Sequence, residues 1–179
     1  MPKYVAFLRA INVGGHTVKM EYLRSLFEAL GFSNVETVIA SGNVIFDSTS
    51  KSTKTLEKKI ESYLQEMLGY EVATFIRSIS ELGEIACYEP FIDAELKAEG
   101  SAVYIAFLAD RPAEEGKQKL LALATEVDEF HFSGREIYWL RRKKISESEF
   151  SGPKFEKTLG MKATLRNSTT VKKIASKYS

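Results

Sequence analysis

Apolar residues at Tyr4-Val5-Ala6-Phe7-Leu8 run almost unbroken until Arg9, the pattern of a central strand covered on both faces. After Asn12-Val13-Gly14-Gly15-His16-Thr17 the period changes. Met20, Leu23, Leu26, Phe27 and Leu30 mark one stripe of a helix, and Gly31 supplies its stop. Val35, Thr37, Val38 and Ile39 predict a second strand, Ser41-Gly42-Asn43 a tight turn, and Val44-Ile45-Phe46 its hairpin partner. A polar loop from Ser48 to Thr55 leads to a second helical stripe at Leu56, Ile60, Tyr63, Leu64, Met67 and Leu68, ending at Gly69. Tyr70 to Ile76 closes this half as a fourth strand. The order β-α-β-β-α-β is that of a ferredoxin-like unit, an antiparallel sheet with both helices on one face.

Ser78-x-x-Glu81 has the form of a capping box opening a connecting helix that stops before Pro90, and Asp93 to Gly100 is a charged loop. The opening then returns. Tyr104-Ile105-Ala106-Phe107-Leu108 repeats Tyr4 to Leu8 at a spacing of 100, and Ser133 to Tyr138 repeats Ser41 to Phe46 at a spacing of 92. A helix from Ala113 to Thr125 and a strand from Val127 to Phe132 lie between the copied pieces, as in the first half. Two matched fragments in one order predict an α+β fold of two ferredoxin-like units related by internal duplication. One continuous sheet and two docked sheets both satisfy the pattern. Residues 1–77 form the first expected unit, 78–100 a connecting helix and loop, 101–165 the second unit, and 166–179 a C-terminal helix. Val171, Ile174, Ala175 and Tyr178 give that helix an apolar stripe with which to dock.

Composition narrows the class without naming a function. With 179 residues, 44% hydrophobic and 27% charged, the chain can bury a substantial core. Met1-Pro2-Lys3 leads directly into a strand, and no apolar run approaches the ~20 residues of a membrane span, so a cytoplasmic protein without membrane association is expected. Cys87, the one cysteine, can form no internal disulfide, and it is expected to be buried at a helix end. His16 and His131 are the only histidines and share no ligand spacing, so neither a metal nor a cofactor is expected. Net charge is +1, yet residues 78–140 carry 13 Asp/Glu against 5 Lys/Arg, and residues 141–179 carry 11 Lys/Arg against 3 Asp/Glu. The basic end either pairs with the acidic middle or meets an anionic partner.

In a ferredoxin-like unit the chain leaving the first strand sits beside the chain beginning the third. That places Asn12, Gly14, Gly15 and His16 next to Ser41, Gly42 and Asn43 at one sheet edge. Two glycines allow successive N–H groups to converge on an anion, the following helix adds its positive end, and Arg9, His16 and Lys19 add charge. A small anionic or phosphate-bearing ligand is the expected partner there. A plain structural turn is the competing account, since neither a dinucleotide fingerprint nor a P-loop is present.

The segments Y-V-A-F-L-R-A-I-N-V-G-G-H, Lys19-Met20-x-x-Leu23-Arg24, Ser41 to Phe46 and Ala163 to Lys173 together resemble the bacterial family known as domain of unknown function 1697. The resemblance implies a duplicated ferredoxin-like fold and no established activity. Ala10 stands where the family has glycine, and Ser168 where an aromatic residue is common. Matching positions are Arg9, Asn12, Gly14, Gly15, Ser41, Gly42, Asn43, Arg166, Asn167 and Thr170, to which the family assigns no role.

Arg166 and Asn167 open the last helix and present a cation, an amide and a helix end together, suited to an anion and equally explained by Asn167 capping. Arg9 must find a carboxylate, carbonyls or an anion. Two alternatives stand beside ligand binding. Arg141-Arg142-Lys143-Lys144 next to Tyr138 and Trp139 suggests single-stranded RNA, although the RRM signature is missing; a sheet edge or helix face could instead serve a protein-interaction module. No catalytic triad or carboxylate pair is defined by spacing, and the oligomeric state is left open.

Overall fold

The computed structural model describes residues 1–9, 17–39, 42–91, 101–142 and 152–178, with 152 and 153 as backbone only. By its internal contacts the chain divides into two units, residues 1–85 with 174–179, and residues 86–173. The first unit holds β1 (Lys3–Leu8), α1 (Met20–Ala29), β2 (Ser33–Thr37), β3 (Asn43–Asp47), α2 (Thr53–Leu68), β4 (Thr74–Ser78) and most of α3 (Ile79–Cys87). Its sheet is four-stranded, antiparallel at every pairing, and ordered β2-β3-β1-β4. Pairing runs Tyr4↔Phe46 and Tyr4↔Ser78 through Phe7↔Asn43 and Phe7↔Phe75, so β1 has both edges hydrogen-bonded.

Alternation along the strands sorts this sheet into two faces. Tyr4, Ala6, Leu8, Val44, Phe46 and Ile76 join Leu23, Leu26 and Phe27 of α1 and Leu56, Ile60 and Leu64 of α2 in one core, so both helices cover the same face. Phe46 is its centre, with ring centroids 4.4 Å from Phe32 and 5.7 Å from Phe27 and Tyr4. On the other face Val5, Phe7, Ile45, Phe75 and Arg77 are also buried. The helix ends obey the local chemistry. Ser52 accepts the Thr55 N–H at 3.2 Å, and Gly69 stops α2 in the left-handed conformation at φ 82°.

The second unit holds β5 (Ala102–Phe107), α4 (Glu114–Leu121), β6 (Asp128–Ser133), β7 (Glu136–Arg141), α5 (Gly152–Leu159), β8 (Thr164–Asn167) and the first turns of α6 (Ser168–Tyr178). Its sheet, also antiparallel throughout, is ordered β6-β7-β5-β8. Ala106, Leu108, Leu120, Phe130, Ile137, Trp139, Phe155 and Leu159 form its core. Trp139 donates its indole N–H to Asp128 at 2.8 Å, satisfying a fully buried ring. The last turn of α6 clusters with the first unit, where the Tyr178 hydroxyl donates to Glu36 at 2.5 Å. Burial and the Glu36 carboxylate raise that phenol's pKa, keeping it a donor.

Several expected boundaries move. Val38 and Ile39 fall outside β2, and Ile39 adopts a positive φ of 44°, because the chain is already turning there. Tyr70 to Ala73 precede β4. Cys87, expected to be buried, is exposed at the end of α3. The charged loop expected from Asp93 to Gly100 lies outside the described residues.

Two packing details carry measurable consequences. β4 is an edge strand, and its outward Ile76 N–H donates to the buried Glu57 carboxylate of α2 at 2.9 Å. Glu57→Ala leaves that amide dry and unpaired, an expected loss of roughly 1–3 kcal/mol in urea unfolding, whereas Glu57→Gln keeps an acceptor and loses less. In α4, a Cβ on Gly116 would lie 2.4 Å from the Leu159 carbonyl oxygen of α5. Gly116→Ala should therefore lower stability by about 1–3 kcal/mol, although in an open helix it would gain about 1 kcal/mol.

Candidate functional site

The edge singled out in the sequence begins where β1 ends. Leu8 donates its N–H to the Gly42 carbonyl at 2.8 Å, and Arg9 donates its N–H to Ala73 at 2.9 Å. The chain leaving β1 is thus clasped between the start of β3 and the start of β4. Gly42 takes φ 87°, a left-handed conformation costly for any residue with a Cβ. Arg9 is half-buried beside this clasp. Lys19 is exposed at the N-cap position of α1, where no side chain caps the helix. A cation there opposes the helix dipole, so an anion would be favoured in compensation. Asn12, Gly14, Gly15, His16 and Ser41 lie outside the described residues.

Asn43 has a structural duty. Its side chain is buried, and its amide group donates to the Val38 carbonyl at 3.2 Å and the Ile39 carbonyl at 2.7 Å. It thereby ties the turn between β2 and β3 from inside. Two carbonyls facing one side chain demand a donor. Asn43→Asp should destabilise at neutral pH at least as much as Asn43→Ala, by about 1–3 kcal/mol, with thermal unfolding as the measurement.

The corresponding edge of the second unit has the same backbone and different chemistry. Leu108 donates to the Arg135 carbonyl at 3.0 Å, and Phe107 pairs with Glu136. By pairing, Gly42 corresponds to Arg135, Asn43 to Glu136 and Phe46 to Trp139, so β3 and β7 are offset by 93 residues and not the 92 that residue identity suggests. Where Arg9 follows Leu8, Ala109 and Asp110 follow Leu108. Arg9 and the left-handed Gly42 at the rim belong to the first unit.

Arg166 and Asn167 lie in the second unit. Arg166 is on β8 opposite Ile105, and its guanidinium donates to the Thr164 hydroxyl at 2.6 Å and the Leu165 carbonyl at 2.9 Å. Burial pushes its pKa down to about 10, which leaves it charged at neutral pH. The Asn167 side-chain oxygen accepts the Thr169 N–H at 2.9 Å and caps α6. Sequence reasoning missed the partner position in the first unit. Arg77 stands on β4 opposite Val5 and donates to the Ile76 carbonyl at 2.9 Å, with no exposed surface. Arg77-Ser78 and Arg166-Asn167 are 89 residues apart, as are the buried pairs Leu82 and Val171, Ile85 and Ile174, and Ala86 and Ala175. That spacing was the available signal.

The aromatic and basic run reads differently in three dimensions. Tyr138 and Trp139 are buried, Arg141 lies over the Tyr104 ring at 4.9 Å, and Arg142 pairs with Glu129 at 2.6 Å. Lys143 and Lys144 are outside the described residues. Among the described residues no group of three His, Cys, Asp or Glu could hold a metal ion, and no helix is long and apolar enough to cross a membrane.

The chain belongs to the DUF1697 family, described as "Protein of unknown function", and matches it over residues 1–138. Its backbone is similar to that of the conserved bacterial protein SP0830 from Streptococcus pneumoniae, with a TM-score of 0.74, covering 99% of this chain and 98% of that one. At 23% identity that likeness shows the fold alone. No curated protein matches the chain.

Proposed function

We propose that this DUF1697 member is built of two ferredoxin-like units related by internal duplication, and that the first binds a small anionic or phosphate-bearing ligand at the rim where β1 ends beside β3. The duplication is supported by identical strand order in the two sheets, and by strand offsets of 100, 93 and 89 residues that bring like positions into register. Tyr4, Ala6 and Leu8 then correspond to Tyr104, Ala106 and Leu108, which all pack on the helix side.

One observation carries the ligand. The 2.8 Å hydrogen bond from the Leu8 N–H to the Gly42 carbonyl, with the Arg9 N–H held by Ala73, sets Arg9 at the β1 exit beside the start of β3. No acidic residue stands at positions 9, 42 or 43, whereas Asp110 and Glu136 enter the matching rim of the second unit. Arg9 supplies planar donors suited to phosphate or carboxylate, and the uncapped start of α1 favours the same charge. Asn43 acts here by holding the turn. The role is binding, with no reaction assigned.

Thermal shift and calorimetry with inorganic phosphate, pyrophosphate and citrate test this rim. The intact protein should be stabilised in proportion to ligand concentration. Arg9→Ala should fold normally and lose the response, Arg9→Lys should keep part of it, and Arg142→Ala should keep all of it. An unchanged response in Arg9→Ala, or no response to any anion in the intact protein, overturns the assignment.

A further inference from the structure

A concavity lies wholly within residues 86–173, on the face of the β5–β7 sheet opposite the one that α4 and α5 cover. It is a shallow hollow, with about 350 Å³ of empty space against its lining, part of it open solvent at the mouth. Ile105 and Tyr138, directly opposite each other across β5 and β7, are buried and form the floor. Phe91 and Ala86, also buried, form a wall. Burial and the nearby Glu136 and Tyr88 raise the Tyr138 pKa, so its ring stays neutral. Tyr88 is fixed at the rim, with its hydroxyl sharing a 2.6 Å hydrogen bond with His131 and its ring edge-on to Tyr138 at 5.3 Å.

The mouth has one charge of each sign. Lys172 and Glu89 both line it, and their charged groups are 3.3 Å apart on half-exposed side chains. An exposed pair of this kind is screened by water and holds itself together only weakly, so a ligand's charges can replace it at small cost. Ser168 brings a hydroxyl to the Lys172 side, at the first residue of α6.

We infer that this pocket takes a free α-amino acid with an apolar or aromatic side chain. Its carboxylate meets Lys172 and the Ser168 hydroxyl, its ammonium meets Glu89, and its side chain lies on Ile105 and Tyr138. A molecule with one charge leaves either Lys172 or Glu89 without a partner, and one without a side chain leaves the apolar floor wet. The site is separate from the Arg9 rim and does not rest on it.

Calorimetry on the full chain, with L-phenylalanine, L-leucine, 3-phenylpropanoate, 2-phenylethylamine and glycine as probes, decides the matter. At least one of the two amino acids should bind, the two single-charge analogues at least about tenfold more weakly, and glycine not at all. Lys172→Met and Glu89→Gln, both at the surface, should keep the melting temperature and weaken amino-acid binding by about tenfold or more. Ile105→Trp should fill the floor and abolish binding. Equal affinity for 3-phenylpropanoate, no binding of either amino acid at millimolar concentration, or full affinity in both mouth variants overturns the inference. Arg9→Ala should leave amino-acid binding intact, so failure here and failure at the anion rim are distinguishable.

Discussion

Both edges and both faces of β1 are consumed by folding. β3 and β4 take its hydrogen bonds, and Val5, Ala6 and Phe7 expose nothing. A strand so enclosed must be apolar throughout, which is why its sequence does not alternate. It also cannot carry chemistry along its length. Charged groups appear only at its ends, Lys3 where it begins and Arg9 at the point where neighbouring strands clasp the departing chain. β5 sits under the same constraint between β7 and β8, with Ile105, Ala106 and Phe107 buried.

Much of this frame was legible because it depends on local rules. The helical stripes, the glycine stops at Gly31 and Gly69 and the Ser78 cap each follow from a few neighbouring residues, and all appear in the structure except that Met67, expected on the stripe of α2, is exposed. The alternation of apolar positions gives the face of a residue, whereas register comes from the turn that joins two strands. That is why Ser133-Gly134-Arg135 looked like a copy of Ser41-Gly42-Asn43 while pairing sets the strands one residue further apart, with Trp139 and not Tyr138 in the place of Phe46. Contacts between distant segments were illegible for a related reason. Nothing near Glu57 announces that it will satisfy the Ile76 amide, and nothing in α4 tells that Gly116 is demanded by the Leu159 carbonyl.

The candidate residues divide by the same logic. Gly42 and Asn43 adjoin the end of β1, an adjacency that strand order alone fixes. What Asn43 does there depends on the carbonyls of Val38 and Ile39 that its amide meets, in a turn where Ile39 takes a positive φ. Arg166 was noticed because it adjoins a helix start, and Arg77 was passed over although the same backbone carbonyl geometry holds it. An arginine buried in an apolar strand is the more informative of the two signals, because its desolvation must be answered by partners.

The helix that follows the last strand of each unit shows where the two differ. α3 and α6 begin directly after Arg77-Ser78 and Arg166-Asn167, and their buried positions agree at three places. At the first residue they differ. Ile79 is buried in α3, whereas Ser168 lines the mouth of the pocket in α6, four residues before Lys172. An apolar side chain at that point would close the concavity with the same material as its floor. A hydroxyl keeps one wall polar beside a lysine, so an otherwise apolar hollow acquires a direction, with one end suited to a carboxylate and the other to a hydrocarbon.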